Sequence, residues 1–291
     1  MSLHFEFPYF IHIFALKYYI SSILNDMITH PCAKINLGLN VVSKRPDGYH
    51  NLETVFYPVP LCDTLEINVS EGTTTLSLSG TPLEGDPEQN LVIKAYRAVC
   101  ERYNLPEVNI SLDKRIPSQA GMGGGSSDCA FTIKALNEMF NIGMDNDEMR
   151  DIASRLGADC PFFIDPTPSF AQGIGENLQP IDFSLEGFWI SIIKPPFAVS
   201  TREAFSRIVP KHPAERCDSI VLGDMKEWRN CLVNDFEESV FNIHPVLADI
   251  KRHFYDMGAV YSCMSGSGSA MVALFENEPP VIEGEYYKLK L

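Results

Sequence analysis

The sequence has little positive charge to set against its negative charge. Its 291 residues include 23 Lys and Arg against 38 Asp and Glu, so the formal net charge is −15, and no block of basic residues offsets it. Such a charge repels phosphate at long range, which argues against a nucleic acid or an anionic membrane as a partner. A phosphorylated small molecule is still compatible with this charge, because backbone amides and single cations bind phosphate locally.

Metal-binding and redox motifs are absent from the sequence. The eight cysteines are scattered, and the closest two, Cys217 and Cys231, are too far apart to form a CxxC pair. The seven histidines include no HExxH motif. This cysteine usage predicts a cytoplasmic protein with reduced thiols and without a metal cage.

One long hydrophobic run is present, from Phe5 to Ile23, but it contains Glu6 and Lys17. A membrane-spanning helix needs about 20 nearly uncharged residues, and a signal peptide begins with positive charge and ends at small residues. The run fits neither description. We therefore expect residues 1–26 to be an extension upstream of Met27 that packs on the surface or on a neighbouring molecule. A membrane anchor is the alternative.

From Met27 onward, strand and helix patterns alternate along the chain. Val108–Leu112 alternates apolar and polar residues, which predicts a strand, and Ser127–Phe140 has helical periodicity. Further strands are predicted at Asn36–Val42, Thr64–Val69, Phe188–Lys194 and Ala270–Phe275, and further helices at Gln89–Tyr103, after the N-cap Asp145, at Thr201–Ile208 and at Pro245–Asp256. A turn-rich stretch ends near residue 180, so we expect two domains, 27–180 and 181–291.

The strongest functional signal is the segment Pro117–Asp128, PSQAGMGGGSSD, between a predicted strand and a predicted helix. Consecutive glycines indicate positive φ angles or close approach of the backbone to another group. Before a helix, such a loop exposes free N–H groups at the positive end of the helix dipole, which favours phosphate binding over a flexible linker. The segment lacks the lysine of a Walker A loop. The hydroxyls of Ser126 and Ser127 add ligands for phosphate oxygens or for a magnesium ion.

Two short motifs contain a lysine and an aspartate whose roles the residues alone leave open. In AKINL, Lys34 and Asn36 lie on one face of a predicted strand, where a lysine is usually a solvent-exposed residue. In LGADCP, Asp159 follows a predicted helix stop at Gly157, where an aspartate usually makes local hydrogen bonds. If Asp159 acts in catalysis, it accepts or orients the proton of a substrate hydroxyl while an ammonium group keeps it ionised.

Two further segments combine turn residues with groups that suit a ligand. Pro-Asp-Gly at residues 46–48 predicts a turn, and Tyr49 and His50 after it either contact a heteroaromatic ring or are ordinary strand residues. MSGSGSA at residues 264–270 precedes a predicted strand. It is either a plain turn or a point of close approach to a ligand or another loop.

Together, these segments resemble the motifs of the GHMP kinase superfamily, from Met27 to about Phe275 and in the same order: AKINLGL, RPDGYHNLETVF, IPSQAGMGGGSSD, LGADCPFF and MSGSGSA. The glycine loop is typical of the whole superfamily. With AKINL, PDGYH and LGAD, the sequence resembles the branch that acts on 4-diphosphocytidyl-2-C-methyl-D-erythritol. That resemblance implies ATP-dependent phosphorylation of the 2-hydroxyl of this small molecule, in the non-mevalonate isoprenoid pathway, with Mg²⁺.

The resemblance also implies a fold and a set of site residues. The fold is α+β with two domains. The N-terminal domain is similar in fold to the second domain of a ribosomal protein and contains a left-handed βαβ unit, and the C-terminal domain is ferredoxin-like. Lys34 and Asp159 are the implied catalytic pair. The nucleotide is placed at Asn90, Pro117, Gly121, Gly123, Gly124, Gly125, Ser126 and Ser127, and the cytidine end of the substrate at Asn36, Tyr49, His50, Thr201 and Phe205. Ser118, Gln119 and Cys129 depart from the residues usual in the family without removing a functional group.

Two alternatives are weighed against this hypothesis. A GHMP kinase acting on homoserine, mevalonate or a sugar would have no base to recognise, which disfavours it in view of PDGYH and Phe205. A nucleotide-binding regulator without catalysis would not need both Lys34 and Asp159. We expect a small-molecule kinase that is a monomer or a homodimer.

Overall fold

A computed structural model describes residues 26–82 and 86–291. Within these residues, twelve strands form three four-stranded sheets, with α-helices packed against them, so the α+β class is as predicted. None of the helices in that part of the chain has the length and hydrophobicity that a bilayer crossing requires. The run from Phe5 to Ile23, for which we expected a surface extension, lies outside the described residues.

The first sheet contains a βαβ unit. Its strand order is β1 (Met27–Thr29), β4 (Thr64–Val69), β6 (Val108–Lys114), β5 (Thr75–Gly80). Strands β5 and β6 are parallel, and the chain crosses between them through helix α1 (Leu91–Tyr103). The side chain of Asn90 caps α1 by accepting a hydrogen bond from Val92 N at 3.0 Å. The apolar residues that alternate along β6 are buried, as their pattern predicted.

The second sheet is built on a long hairpin. Its strand order is β2 (Cys32–Lys44), β3 (His50–Cys62), β7 (Ser169–Gly173), β8 (Asn177–Pro180). The predicted Pro-Asp-Gly turn joins β2 to β3 and is closed by a hydrogen bond from Arg45 N to Tyr49 O at 2.8 Å. Sequence patterns missed β3 because it contains Pro58 and Pro60, and proline is rare in sheet interiors. Within β3, only Leu52–Phe56 pair with β7, so both prolines lie where β3 has one neighbouring strand.

Two helices follow the glycine loop. Helix α2 (Gly124–Met139) begins three residues before the start that periodicity predicted, directly after Gly123, whose φ is +70°. Glycine adopts this left-handed conformation without strain, so the chain turns into the helix at once. Helix α3 (Asn146–Ser154) begins as predicted after Asp145, whose side chain accepts a hydrogen bond from Glu148 N at 2.9 Å. Both helices pack with α1 against the first sheet.

The third sheet is antiparallel throughout. Its strand order is β10 (Tyr261–Met264), β11 (Met271–Phe275), β9 (Trp189–Ile193), β12 (Glu285–Lys290). This is the strand order of a ferredoxin-like domain, as the resemblance implied. The helices between β9 and β10 in the chain are α4 (Thr201–Phe205), α5 (Cys217–Val221), α6 (Met225–Cys231), α7 (Phe236–Ile243) and α8 (Pro245–Asp256). Helix α8 has the predicted bounds, and α4 ends three residues earlier than predicted.

Apolar cores join the sheets and the helices. One core lies between the first sheet and helices α1, α2 and α3. Another lies between the second and third sheets, where Ile35 and Leu37 of β2 belong to the same buried cluster as Ile190, Trp228 and Tyr261. Burial of each such side chain contributes about 1.5 to 3 kcal/mol. This core joins residues on both sides of position 180, and the division into domains there stays a prediction.

Candidate active site

Lys34 lies at the centre of a polar cluster formed by β2, the glycine loop and the LGAD segment. Its Nζ donates hydrogen bonds to Asn36 Oδ1 at 2.7 Å and to the carbonyl of Gly121 at 3.0 Å, and it lies 3.4 Å from Asp159 Oδ2. The Lys34 side chain is 4% exposed, whereas that of Asp159 is 31% exposed. The structure thus brings together the two residues that the resemblance pairs, and leaves the carboxylate accessible.

Asn36 is oriented by hydrogen bonds of its own. Its Nδ2 donates to Thr54 Oγ1 at 3.0 Å, and Thr54 Oγ1 donates to the carbonyl of Gly38 at 2.5 Å. Because the amide donor is used on this side, the amide oxygen is directed to Lys34. The ammonium group is therefore held in place by acceptors whose own positions are fixed.

Asp159 lies where the chain leaves helix α3 and enters a short 3-10 turn, Cys160–Ile164. All five residues of that turn are buried, and they belong mainly to the core under the first sheet, so the turn anchors the aspartate from below. Gly175, in the connection between β7 and β8, faces the carboxylate. A Cβ on Gly175 would lie 3.2 Å from Asp159 Oδ1, which is tighter than ordinary contact. The glycine therefore keeps space free beside this carboxylate.

Close contacts within the protein limit most of the glycines in the loop 117–125, and two of them also have a positive φ. Gly121 has a φ of +74°, and a Cβ there would lie 1.9 Å from the carbonyl oxygen of Ser265. Gly123 has a φ of +70°, and a Cβ there would lie 2.8 Å from Cζ of Phe163. Other side chains at these two positions would be strained by the backbone and would overlap with fixed neighbours.

A cavity of about 310 Å³ opens beside the glycine loop. Its lining includes Asn90, Pro117, Gly121, Gly123, Gly124, Gly125 and Ser126. The first N–H groups of α2 have no partner within the helix and carry the positive end of its dipole, so the cavity suits a phosphate group. Of the residues expected at the nucleotide, Ser127 does not line this cavity. It is fully buried, and its hydroxyl has no hydrogen-bond partner among the described residues.

A buried cluster of charged side chains lies beneath the loop. Lys114 Nζ pairs with Asp63 Oδ2 and, at 2.6 Å, with Asp128 Oδ2. Asp63 Oδ1 accepts hydrogen bonds from the backbone N–H groups of Arg115 and Ile116. Asp128 Oδ1, in contrast, is buried without a partner among the described residues. Burial raises the pKa of Asp128 to about 7, although the charge of Lys114 acts in the opposite direction.

A second cavity, of about 330 Å³, shares Gly121 with the first. Five of the residues expected at the acceptor substrate or in catalysis line it: Lys34, Asn36, Asp159, Thr201 and Phe205. The remaining lining comes from β2, β3, the LGAD segment, α7, the segment before β8, and the glycine-serine segment after β10. The Lys34–Asp159 pair therefore stands where the two cavities approach each other.

Tyr49 and His50 lie outside that lining. The His50 ring stacks on the Phe205 ring, with centroids 4.5 Å apart and planes 22° from parallel. Tyr49 is 61% exposed. Partial burial lowers the pKa of His50 below its usual value, and the charge of Lys44 lowers it further. Both residues are expected at the cytidine end of the substrate; the structure places His50 against Phe205 in the wall of the second cavity and leaves Tyr49 exposed.

The glycine-serine segment approaches the glycine loop closely. Ser265 Oγ donates a hydrogen bond to the carbonyl of Gly121 at 2.9 Å. Asn234, just before α7, anchors the segment by donating from Nδ2 to the carbonyls of Met264 and Gly266, both at 2.8 Å. Contact with another loop is therefore the correct alternative for this segment, and Asn234 is a supporting residue that sequence patterns did not reveal.

Comparison with known proteins identifies the family. The GHMP kinases N terminal domain matches residues 90–165, and the GHMP kinases C terminal domain matches residues 217–284. A protein of Bacteroides thetaiotaomicron named 4-diphosphocytidyl-2-C-methyl-D-erythritol kinase is 51% identical over 263 residues, which cover 89% of this chain and 96% of that protein. The chain belongs to the GHMP kinase family. A Bacteroides fragilis protein of the same name is 50% identical over 263 residues, with the same coverage of both chains.

Solved structures share the fold of this GHMP kinase. A crystal structure of 4-(cytidine 5′-diphospho)-2C-methyl-D-erythritol kinase is 31% identical, with a TM-score of 0.74, and the match covers 87% of this chain and 91% of that chain. The structure of L. major mevalonate kinase in complex with R-mevalonate is 15% identical, with a TM-score of 0.64 and 87% coverage of each chain. At that lower identity the likeness shows the fold alone.

The sequence of this GHMP kinase did contain a signal for the buried charged cluster. The alternation of β6 continues to Lys114, which puts the lysine on the same buried face as Ile110 and Leu112. A lysine on a buried face requires anionic partners, because an unpaired buried charge is strongly unfavourable. No local pattern indicated that Asp63 is one of these partners, since the two residues are 51 positions apart.

Proposed function

We propose that this GHMP kinase transfers the terminal phosphate of ATP to the 2-hydroxyl group of 4-diphosphocytidyl-2-C-methyl-D-erythritol, in the non-mevalonate isoprenoid pathway. Relatives with half of their residues identical to this chain are named as kinases of that compound. The observation that carries the proposal is the 3.4 Å approach of Lys34 Nζ to Asp159 Oδ2. This pair lies beside Gly121, which lines both cavities.

In this proposal, ATP occupies the cavity beside the glycine loop. The free N–H groups at the start of α2 bind the phosphates, helped by the hydroxyl of Ser126 and by the dipole of the helix. Asn90 and Leu91, at the other side of this cavity, line the place of the adenine. The loop is supported from outside, because Gly121 contacts Ser265, so the amides are positioned before the nucleotide binds.

The same end of α2 fits a magnesium ion. Mg²⁺ prefers oxygen ligands and is usually bound by one or two protein side chains together with substrate phosphates. Ser126 and Asp128 both line the cavity beside the glycine loop, and Asp128 Oδ1 has no hydrogen-bond partner among the described residues. We therefore assign Mg²⁺ to these residues. When bound, the ion neutralises negative charge on the phosphates.

Asp159 and Lys34 act on the acceptor hydroxyl. The carboxylate of Asp159 lines the second cavity, where it accepts the proton of the hydroxyl that attacks the phosphate. The ammonium group of Lys34 stabilises the ionised carboxylate and the charge that develops on the transferred phosphate. Because Asn36 and Gly121 hold Lys34 Nζ in place, the pair needs little rearrangement, and positioning is most of what phosphoryl transfer requires.

The cytidine end of the acceptor is assigned to the outer part of the second cavity. Thr201 and Phe205 line it from α4, and Asn36 lines it from β2. In this assignment, the cytosine stacks on Phe205 in the position that the His50 ring occupies in the His50–Phe205 pair. Tyr49, exposed beside His50, is then available to cover the other face of the base.

We further propose a cytoplasmic location, a division into two domains, and a monomeric or homodimeric state. All eight cysteines are free, which is typical of proteins in a reducing compartment and favours the cytoplasm. Residues 27–180 form the nucleotide-binding domain and residues 181–291 the C-terminal domain in this proposal. The protein acts on its small-molecule substrate as a monomer or a homodimer.

A substrate panel tests the proposed function. ADP release is measured with 4-diphosphocytidyl-2-C-methyl-D-erythritol, homoserine, mevalonate and galactose as acceptors. Efficient turnover is expected for the cytidyl compound alone. A preference for another acceptor would assign the chain to a different GHMP kinase activity, and nucleotide binding without turnover of any acceptor would favour the regulator.

The variant Asp159→Asn tests the role of the carboxylate. It keeps the shape of the side chain but cannot take a proton, so we expect kcat to fall by about 100-fold or more while KM for ATP stays near the wild-type value. Asp165→Asn, a more exposed aspartate after the same turn, is the matched control and should keep wild-type kcat. Unchanged turnover in Asp159→Asn would remove this residue from the mechanism.

A further inference from the structure

His244 lies at the junction of helices α7 and α8 and contacts the segment that carries Phe205. Its ring stacks on Phe197, with centroids 4.7 Å apart and planes 17° from parallel. Its Nε2 lies 3.6 Å from Glu203 Oε1. Pro245 follows and disfavours helical backbone at His244, which has a φ of −124° and a ψ of 75°. The backbone and both contacts therefore fix the direction of the ring.

Glu203 holds the start of helix α4. Its Oε2 accepts a hydrogen bond from Ser200 N at 2.8 Å, and Ser200 Oγ accepts one from Glu203 N at 3.1 Å, which forms a capping box. The carbonyl of Glu203 accepts a further hydrogen bond from Ser239 Oγ of α7 at 3.1 Å. A five-residue helix is unstable by itself, so α4 depends on these contacts for its position.

On its other side, His244 is linked to the glycine-serine segment. The carbonyl of Phe197, on which the His244 ring stacks, accepts hydrogen bonds from Ser269 Oγ at 2.6 Å and from Lys194 Nζ at 2.7 Å. Ser269 belongs to the segment that closes on the glycine loop. The His244 ring is therefore held between a fixed part of the active site and the short helix that faces the acceptor.

We propose that His244 is a positioning residue for the acceptor substrate. Held between Phe197 and Glu203, its ring keeps helix α4 in the place where Phe205 faces the second cavity. His244 lines neither cavity, so it acts through α4 rather than by touching a substrate. This role rests on the proposed function, because it takes Phe205 as the residue that stacks on the cytosine. Its loss should weaken acceptor binding and leave phosphoryl transfer unchanged.

Steady-state kinetics of His244→Ala and His244→Gln test this role, with ATP and the cytidyl acceptor varied separately. We expect KM for the acceptor to rise roughly fivefold in His244→Ala, as for the loss of a stacked ring contact, with kcat and KM for ATP unchanged. Calorimetric titration with cytidine 5′-diphosphate should show the same loss of affinity. His244→Gln, which keeps a polar side chain beside Glu203, should lose less. His253→Ala, an exposed histidine on α8, is the matched control.

A double variant distinguishes the contact between His244 and Glu203 from the capping box of Ser200 and Glu203. Glu203→Gln keeps an acceptor for Ser200 N but removes the charge that faces His244. If the two residues act as a unit, His244→Ala combined with Glu203→Gln raises the acceptor KM no further than His244→Ala alone, whereas additive effects would overturn the pairing.

Two results for His244→Ala would overturn the proposal. One is an unchanged acceptor KM, and the other is an equal rise in both KM values with a lowered Tm, which indicates a merely structural role. A wild-type protein that neither releases ADP with the cytidyl acceptor nor binds cytidine 5′-diphosphate would refute the proposed function first, and this role of His244 with it.

Discussion

Replacing Gly125 by alanine should raise the stability of this protein and lower its affinity for ATP. Gly125 is the second residue of α2, its φ is not in the left-handed region, and a Cβ there would meet nothing nearer than Leu91 Cδ1 at 3.7 Å. No contact within the described residues therefore requires glycine. Alanine is more favourable than glycine in a helix by about 0.5 to 1 kcal/mol. We expect the free energy of unfolding to increase by that amount and Tm to rise by about 2 °C.

The affinity for ATP should change in the opposite direction. Gly125 lines the proposed nucleotide cavity, and its N–H is among the first four of α2, which have no acceptor within the helix. A methyl group at this position keeps phosphate oxygens away from that amide. Because a hydrogen bond to a charged group contributes about 1.5 to 3 kcal/mol, we expect KM for ATP to rise about 10-fold to 100-fold.

Urea unfolding and ADP release, measured on the same preparations, check both expectations. Gly143→Ala is the control, in which the stability should fall and the affinity for ATP should not change. Its φ is +85° and no atom lies within 4 Å of a Cβ, so alanine should cost about 1 to 2 kcal/mol of stability and leave KM for ATP unchanged. A Gly125→Ala protein with wild-type KM for ATP would refute the idea that phosphate approaches this part of the loop.

Three further predictions concern the acceptor, the ammonium group and a buried carboxyl. Phe205→Ala should raise KM for the cytidyl acceptor more than KM for ATP in steady-state assays, and equal effects would contradict stacking. Lys34→Gln should lower kcat by about 100-fold or more with little effect on nucleotide affinity, since it removes the charge beside Asp159; a kcat near wild type would exclude that role. Burial raises the pKa of Glu237 above 4.5, although Lys251 opposes this, so the folded protein holds this proton more tightly than the unfolded chain. The free energy of unfolding of the wild type, relative to Glu237→Gln, should therefore fall as pH rises above about 4.5, as followed by urea unfolding at several pH values; a difference independent of pH would contradict it.

Elements whose pattern repeats several times were predictable from the sequence. The alternation of β6, the three-turn periodicity of α8 and the cap of α3 all gave correct elements, because each pattern is local. Helices α5 and α6 have five and seven residues, which is too short for a 3.6-residue period to repeat. Strand β3 was hidden by its two prolines, whose tolerance depends on where a neighbouring strand ends.

The candidate site was predictable motif by motif but not as an assembly. The physics of a glycine loop before a helix indicated a phosphate site, and the cavity lies there. Lys34 and Asp159 each had an ordinary structural interpretation, and the contact between them is made by strands, helices and a 3-10 turn that no local pattern relates. Family resemblance alone paired them. Likewise, nothing local indicated that Lys114 would meet Asp63 and Asp128 beneath the loop.

The contacts of Ser265 also determine when during translation the proposed catalytic centre can be complete. This hydroxyl accepts from Asn36 N across 229 residues of chain and donates to the Gly121 carbonyl across 144 residues. At ordinary elongation rates, the ribosome needs on the order of 10 to 50 s to add 229 residues. Lys34 and Asn36 are therefore synthesised that long before Ser265, which completes their polar cluster. A prematurely terminated polypeptide would thus contain the whole glycine loop and both side chains of the proposed catalytic pair and still lack one wall of the pocket.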